Sequence, residues 1–169
     1  MFYSQAGEHI VTNNIGNLID NFTVDDIPHD VLKDIFHYWQ VMKDERAMPS
    51  RADLNPADIV SLLPHISLVD VEHETKRYKI RLVGTETVRA LGADITGKYL
   101  DELPRIEQHL KARYDWLVEK KAPYLIYDKL KWSQKSFLDF CSVGMPLSNN
   151  GRDVDIIMYG SCFHLPENN

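Results

Sequence analysis

Apolar residues recur along this chain of 169 residues in two periods, and the switches between them mark its elements. From Pro28 onward Leu32, Ile35, Phe36, Trp39 and Met42 return at helical spacing, with Val31, Tyr38 and Val41 widening the stripe. Pro49 bounds that helix, because a residue before proline avoids the helical region. Asn55 and Pro56 fit the cap and first position of a second, short helix, which runs through Leu62 and is stopped by Pro64. Ile66 to Glu72 and Tyr78 to Val83 then read as strands joined by the polar segment 73–76.

Gly84-Thr85 turns the chain into a short helix, Glu86 to Leu91, with Gly92 as its stop. After the turn Asp94-Ile-Thr-Gly97, a longer helix covers Ile106 to Lys120. Its expected buried face is Ile106, Leu110, Tyr114, Leu117 and Val118. Beyond Pro123 the strand pattern returns in Tyr124 to Trp132, Phe137 to Leu147 and Val154 to Phe163. The last two are joined at Asn150-Gly151, a pair suited to a tight hairpin. The final strand is apolar on both faces, Val154, Ile156, Met158 and Cys162 on one, Ile157, Tyr159 and Phe163 on the other. Such a strand belongs at the centre of a sheet with both faces covered.

These elements predict an α+β domain: a five-stranded antiparallel sheet, order 2-1-5-4-3 along the chain, with helices on one face and the N-terminal helix flanking the sheet. Residues 1–27 read as a loosely ordered arm, 28–165 as the domain and 166–169 as a tail.

Several local strings sharpen that outline. Tyr38-Trp39, the run from Met48-Pro49-Ser50-Arg51 to Asn55-Pro56, and Leu62-Leu63-Pro64 lie in the first part. Arg81-Leu82-Val83-Gly84-Thr85 and Gly92-x-Asp94-x-Thr96-Gly97 follow. Together they resemble a PAS-like family of small stand-alone proteins, found mainly in alphaproteobacteria. The resemblance is strong from Val31 to Leu103. Beyond that it rests on Met145-Pro146-Leu147 and the Asn150-Gly151 turn. It implies a PAS fold and a sensory or regulatory role, and supplies no catalytic residues.

Composition narrows the partners. A net charge of −6 argues against non-specific nucleic-acid binding. The charge is uneven: residues 1–74 hold 4 Lys/Arg against 13 Asp/Glu, residues 105–135 hold 8 against 4, a polarity that could orient an acidic partner or be plain solvated surface. No apolar run is long enough to span a bilayer, and the first twenty residues lack the basic and apolar regions of a signal peptide. Cys141 and Cys162 form no C-x-x-C pair, so neither a disulfide framework nor a zinc site is indicated. A cytoplasmic location is expected.

Candidate chemistry is sparse. PAS domains bind haem, flavin or metabolites between helices and sheet. His109, on the long helix, is the one position for a haem ligand, yet its phase places it at the flank of the buried face with Trp116. The cysteines fall in strands and pack as small apolar residues, without the motif of a light-sensing flavin domain. No cofactor is expected. Arg51 and Asp53 are the charged residues of most interest, as a clamp for a carboxylate or phosphate or as a pair tying the connection to the domain. An isomerase-like enzyme would need a carboxylate base in a pocket, for which Asp70, Asp128 and Asp139 stand out in strands. His9, His29, His37, His65, His73 and His164 are scattered, and no nucleophile elbow or phosphate loop is present.

Three readings follow: a non-catalytic module binding a small ligand or regulatory protein, a ligand-free dimerisation module, and an isomerase-like enzyme. The helix at residues 30–44 carries more apolar surface than one stripe needs. A homodimer is therefore expected, with Leu32, Ile35, Phe36, Tyr38, Trp39 and Met42 at the interface.

Overall fold

The computed structural model describes residues 17–131 and 133–166. Its elements are β1 (Leu18–Ile19), α1 (Asp30–Lys43), β2 (Ile66–Glu72), β3 (Arg77–Leu82), α2 (Thr85–Leu91), α3 (Pro104–Lys120), β4 (Tyr124–Lys129), β5 (Asp139–Leu147) and β6 (Ile156–His164), with short 3-10 turns between. All strand pairs are antiparallel, in the order β1-β4-β5-β6-β2-β3. The five strands expected from the sequence thus lie in the expected spatial order, and the sheet gains a sixth strand beside β4.

That sixth strand corrects the reading of residues 17–27 as a loose arm. Leu18 pairs with Ile126, Ile19 with Leu125, and Leu18 is fully buried. Two residues are too short a run to show a strand period, which is why the pattern missed them. Residues 1–16 lie outside the described residues.

β6 is central, between β5 and β2. Its alternation divides two cores. Ile157 and Tyr159 face α2 and α3, whereas Ile156 and Met158 face α1. Val154 precedes the strand and joins the α3-side core rather than the Ile156 face where the sequence pattern set it.

The cover on the second face is α1 of the same chain. Leu32 and Ile35 are fully buried, Phe36 and Trp39 nearly so, and Met42 sits at the margin of that layer. Burying each such side chain contributes about 1.5–3 kcal/mol. Trp39 Nε1 also donates to the Pro146 carbonyl of β5 at 3.0 Å. Gly160 lets the helix come close: a Cβ there would lie 2.8 Å from Ile35 Cδ1 and 3.2 Å from Leu32 Cδ2. The positive φ of 52° at Asp44 ends the helix.

Several boundaries differ from expectation: β5 begins at Asp139 and β6 at Ile156, two residues later than the pattern set them. Residues 56–65 form two 3-10 turns, Pro56–Asp58 and Leu63–His65, instead of one α-helix through Leu62. Asn55 does cap the first, its side chain accepting from Ala57 N at 3.2 Å. The β5–β6 connection is wider than a two-residue turn, because Asn150 Oδ1 accepts from both Arg152 N and Asp153 N and so builds a side-chain turn. β4 stops at Lys129, short of Trp132, which lies outside the described residues.

Candidate functional site

The candidate site is a partly open cavity of ≈ 40 Å³ between the sheet and the layer of α2, α3 and the loop carrying Ile95. Elementary packing accounts for its position. On α3 the half-buried Ile106 and Leu110 line this space together with the buried Tyr114. On the sheet side Gly144 has no side chain, and the Tyr124 ring occupies the room that a Cβ there would take.

The lining is apolar with a minority of polar groups. Ile80, Leu91, Ile95, Phe140 and Phe163 supply apolar surface. Tyr114, Tyr124 and Tyr159 bring phenols, and Thr87, Ser142, Ser161 and Arg113 complete the polar set. Burial pushes all three tyrosine hydroxyls above their ordinary range, so they remain neutral hydrogen-bonding groups. Ser142 Oγ donates to the Gly160 carbonyl at 3.0 Å and lies 3.1 Å from Ser161 Oγ. Thr87 is 6% exposed, and its buried Oγ1 makes no hydrogen bond. A buried hydroxyl without a partner costs about 1–3 kcal/mol.

Arg113 carries the charge of the site. It is 4% exposed, its Nη2 donates to Asp128 Oδ2 on β4 at 3.1 Å, and its guanidinium carbon lies 5.8 Å from the centre of the Phe140 ring. Asp128 also meets Lys131 Nζ at 3.5 Å and accepts from the Lys129 amide at 2.8 Å. His109, half-buried one turn before Arg113, is held below its ordinary pKa by burial and then by the charges of Arg113 and Lys131.

The residues singled out in the sequence lie elsewhere. Arg51 and Asp53 occupy a 3-10 turn after α1, do not line the cavity and do not pair with each other. Asp53 Oδ2 instead accepts from Ser50 N at 2.8 Å, Ser50 Oγ at 3.1 Å and Arg46 Nη2 at 2.8 Å. The Ser50 amide, followed by Arg46 and the Ser50 hydroxyl, holds the Asp53 carboxyl below its ordinary range. Arg51 Nη1 reaches the Leu54 carbonyl at 3.4 Å, and its buried Nε makes no hydrogen bond. Of the six residues assigned to an interface, Leu32, Ile35, Phe36, Trp39 and Met42 pack under the chain's own sheet. Tyr38 exchanges hydrogen bonds with Asn55, accepting from its amide at 3.0 Å.

Asp70 pairs with Arg81, Asp139 with Lys129 and Asp128 with Arg113, and none of the three lines the cavity. Burial pushes the Cys141 thiol up to about 12 and the Cys162 thiol up to about 11. Among the described residues no group of three or more His, Cys, Asp or Glu could hold a metal ion.

Arg113, Thr87, Ser142 and Ser161 were missed in the sequence. For Arg113 a signal existed, since Ile106, Leu110, Arg113 and Leu117 recur at i, i+4, i+7 and i+11, the spacing of one helix face.

No curated protein and no solved structure matches the chain. No helix among the described residues is long and apolar enough to cross a membrane. A family model described as PAS domain does match, over residues 27–153, which takes in α1, the strands β2 to β5 and the helices that roof the cavity, and ends just before β6. The chain therefore belongs to the PAS domain family.

Proposed function

We propose that this chain is a cytoplasmic, non-catalytic sensory module that binds a small ligand in the cavity between sheet and helices. The observation that carries this reading is the buried Thr87 hydroxyl, unpartnered in an apolar cavity that also takes in the buried Arg113 side chain. A polar group left without a partner beside open volume is stabilised when a ligand supplies one. Membership of the PAS family supports a sensory or interaction role in general. The described lining contains no Asp or Glu, which favours binding over isomerase-type proton abstraction.

The cavity also bounds the ligand. At ≈ 40 Å³ it suits a few heavy atoms and is far below what a haem or flavin would occupy. Occupancy would reach the rest of the fold through α3, which both lines the cavity and joins β4 through Arg113 and Asp128. Native mass spectrometry of the purified chain, with solvent extraction of whatever it retains, tests the reading. A stoichiometric small molecule lost on Thr87→Val substitution is expected. A chain that carries no small molecule, and takes none up from a metabolite mixture, would overturn it.

A further inference from the structure

We propose that the ligand of this cavity is a small uncharged molecule, a short-chain alcohol or ketone, that hydrogen-bonds to Thr87; the proposal rests on the ligand-binding reading above. Charge narrows the class first. The described lining holds no Asp or Glu, and its cation, Arg113, is already paired with Asp128 at 3.1 Å. The three phenols are neutral. A charged ligand would therefore shed its water without meeting a free counter-ion, the costliest form of burial.

Polarity narrows it next. Ser142 donates to the Gly160 carbonyl at 3.0 Å and meets Ser161 at 3.1 Å, and Tyr159 is hydrogen-bonded to Ser67 and Tyr114. The lining hydroxyls that remain are those of Thr87 on α2 and Tyr124 on β4. A threonine in a helix can return its hydroxyl to the carbonyl one turn back. That of Thr87 does not, although the residue is 6% exposed. Ile80, Leu91, Ile95 and Phe163 contribute apolar wall.

Size completes the description. One water needs about 10–15 Å³ of such space, so a cavity of ≈ 40 Å³ takes about three groups of that size. A buried water keeps about two to four polar partners, and this wall is short of them. One molecule with a single polar head and a short alkyl tail uses the Thr87 hydroxyl and covers the apolar wall. A hydroxyl both donates and accepts, so Thr87 serves an alcohol and a ketone alike. No bond is made or broken, and the site is a recognition site only.

The test is a titration of the full chain with 1-propanol and acetone. Sodium propionate and propylammonium chloride are the charged counterparts, at matched ionic strength. Amide NMR shifts locate binding, and the thermal midpoint of the free chain reads the fold. Four heavy atoms set a dissociation constant of about 40 μM at best, so the titration extends into the millimolar range. Saturable shifts at Thr87, Leu91 and Ile95 with the neutral compounds, and none with the charged ones, are expected. Thr87→Val, of nearly equal volume, removes a buried hydroxyl that has no partner. It should leave the thermal midpoint at or above the parent's and weaken binding about tenfold, the worth of one hydrogen bond. Thr87→Ser keeps the hydroxyl and should keep most of the affinity. If Thr87→Val does not fold, the contrast between neutral and charged compounds still decides. An equal or stronger response to propionate or propylammonium would overturn the uncharged class and leave the ligand reading standing. Equal affinity of the parent and Thr87→Val would remove Thr87 from the site and overturn the proposal as stated. No saturable response to any of the four compounds would also overturn it, and the co-purification experiment then judges the ligand reading by itself.

Discussion

Arg113 Nη2 lies 3.1 Å from Asp128 Oδ2, joining the middle of α3 to β4 through a pair whose side chains are 4% and 13% exposed. Their position matters more than their energy. The pair ties the helix that roofs the cavity to the strand whose Tyr124 lines it. Buried pairs of this kind are poor sources of net stability and costly to break from one side.

Asp128→Ala should therefore destabilise the fold by about 3 kcal/mol, because it leaves the arginine buried without its carboxylate. Lys131 Nζ, 58% exposed, loses little, since it returns to water. Urea unfolding of the two single variants, Asp128→Ala and Lys131→Ala, measures the contrast. Equal losses in both would show that Asp128 acts as a surface charge and not as the partner of a buried one.

The acid side of the stability curve should carry a histidine signature. His29 is held below its ordinary pKa of 6.5 by burial and then by His164, whose ring centroid lies 5.1 Å away. His109 is lowered too, by burial and then by Arg113 and Lys131. A base with a lowered folded pKa binds fewer protons when folded than when unfolded. The stability it contributes is thus fully present above 6.5 and is lost as pH falls from there toward the folded value. Urea midpoints at pH 7.5 and 5.5, with His29→Asn and His109→Gln as comparators, should show a fall in the parent chain and a smaller one in each variant. A flat profile in the parent would contradict the burial of both rings.

Trp39 gives the most direct measure of what α1 does. Its ring is 3% exposed, stacks on Phe36 at 5.9 Å between centroids, and donates to the Pro146 carbonyl. Trp39→Ala should cost about 3–5 kcal/mol. Trp39→Phe should cost less, keeping most of the packing and losing the hydrogen bond. Val41 on the same helix is 61% exposed, and Val41→Ser should lie within about 0.5 kcal/mol of the parent. Thermal unfolding of the three variants distinguishes a helix packed on its own sheet from one that packs only on a second chain. In the second case the cost of Trp39→Ala would vanish at low protein concentration.

Much of this fold was legible because strand and helix periods are strong where one face meets one core. The two-sided β6 announced its central place; β5 follows it from a local hairpin, whereas β2 pairs with it across the chain. The surplus apolar residues on α1 and the second apolar face of β6 posed one question seen twice. Each asks for cover, and α1 of the same chain supplies it for the second face of β6, while Val41 on that helix stays exposed. Arg51 and Asp53 misled for a different reason. Adjacent charges invite pairing, yet a three-residue 3-10 turn sends Asp53 back to the Ser50 amide and to Arg46. The Ser-x-x-Asp spacing at Ser50 and Asp53 is a capping signal and was the better guide. The cavity itself was not legible. Thr87 and Ser161 come together only through the sheet order, and no local period records a hydroxyl left without a partner.

Gly160 supplies the sharpest test of how α1 meets the sheet. The residue sits in β6 at the point where the helix crosses, and a Cβ built on it falls 2.8 Å from Ile35 Cδ1 and 3.3 Å from Ile35 Cγ2. Real Cβ contacts do not come that close, so Gly160→Ala must displace Ile35 or lift the helix. A cost of about 1–3 kcal/mol is expected, typical of overpacking. Ile35→Ala alone leaves a cavity and should cost about 2–5 kcal/mol. In the double variant the new methyl enters the space that Ile35 vacates. The two losses should then fall short of additivity by at least about 1 kcal/mol, a coupling expected only of residues in contact. Urea unfolding of the parent, both single variants and the double variant closes the cycle. Strict additivity would mean that Ile35 does not rest on Gly160, and that α1 covers the sheet in some other register.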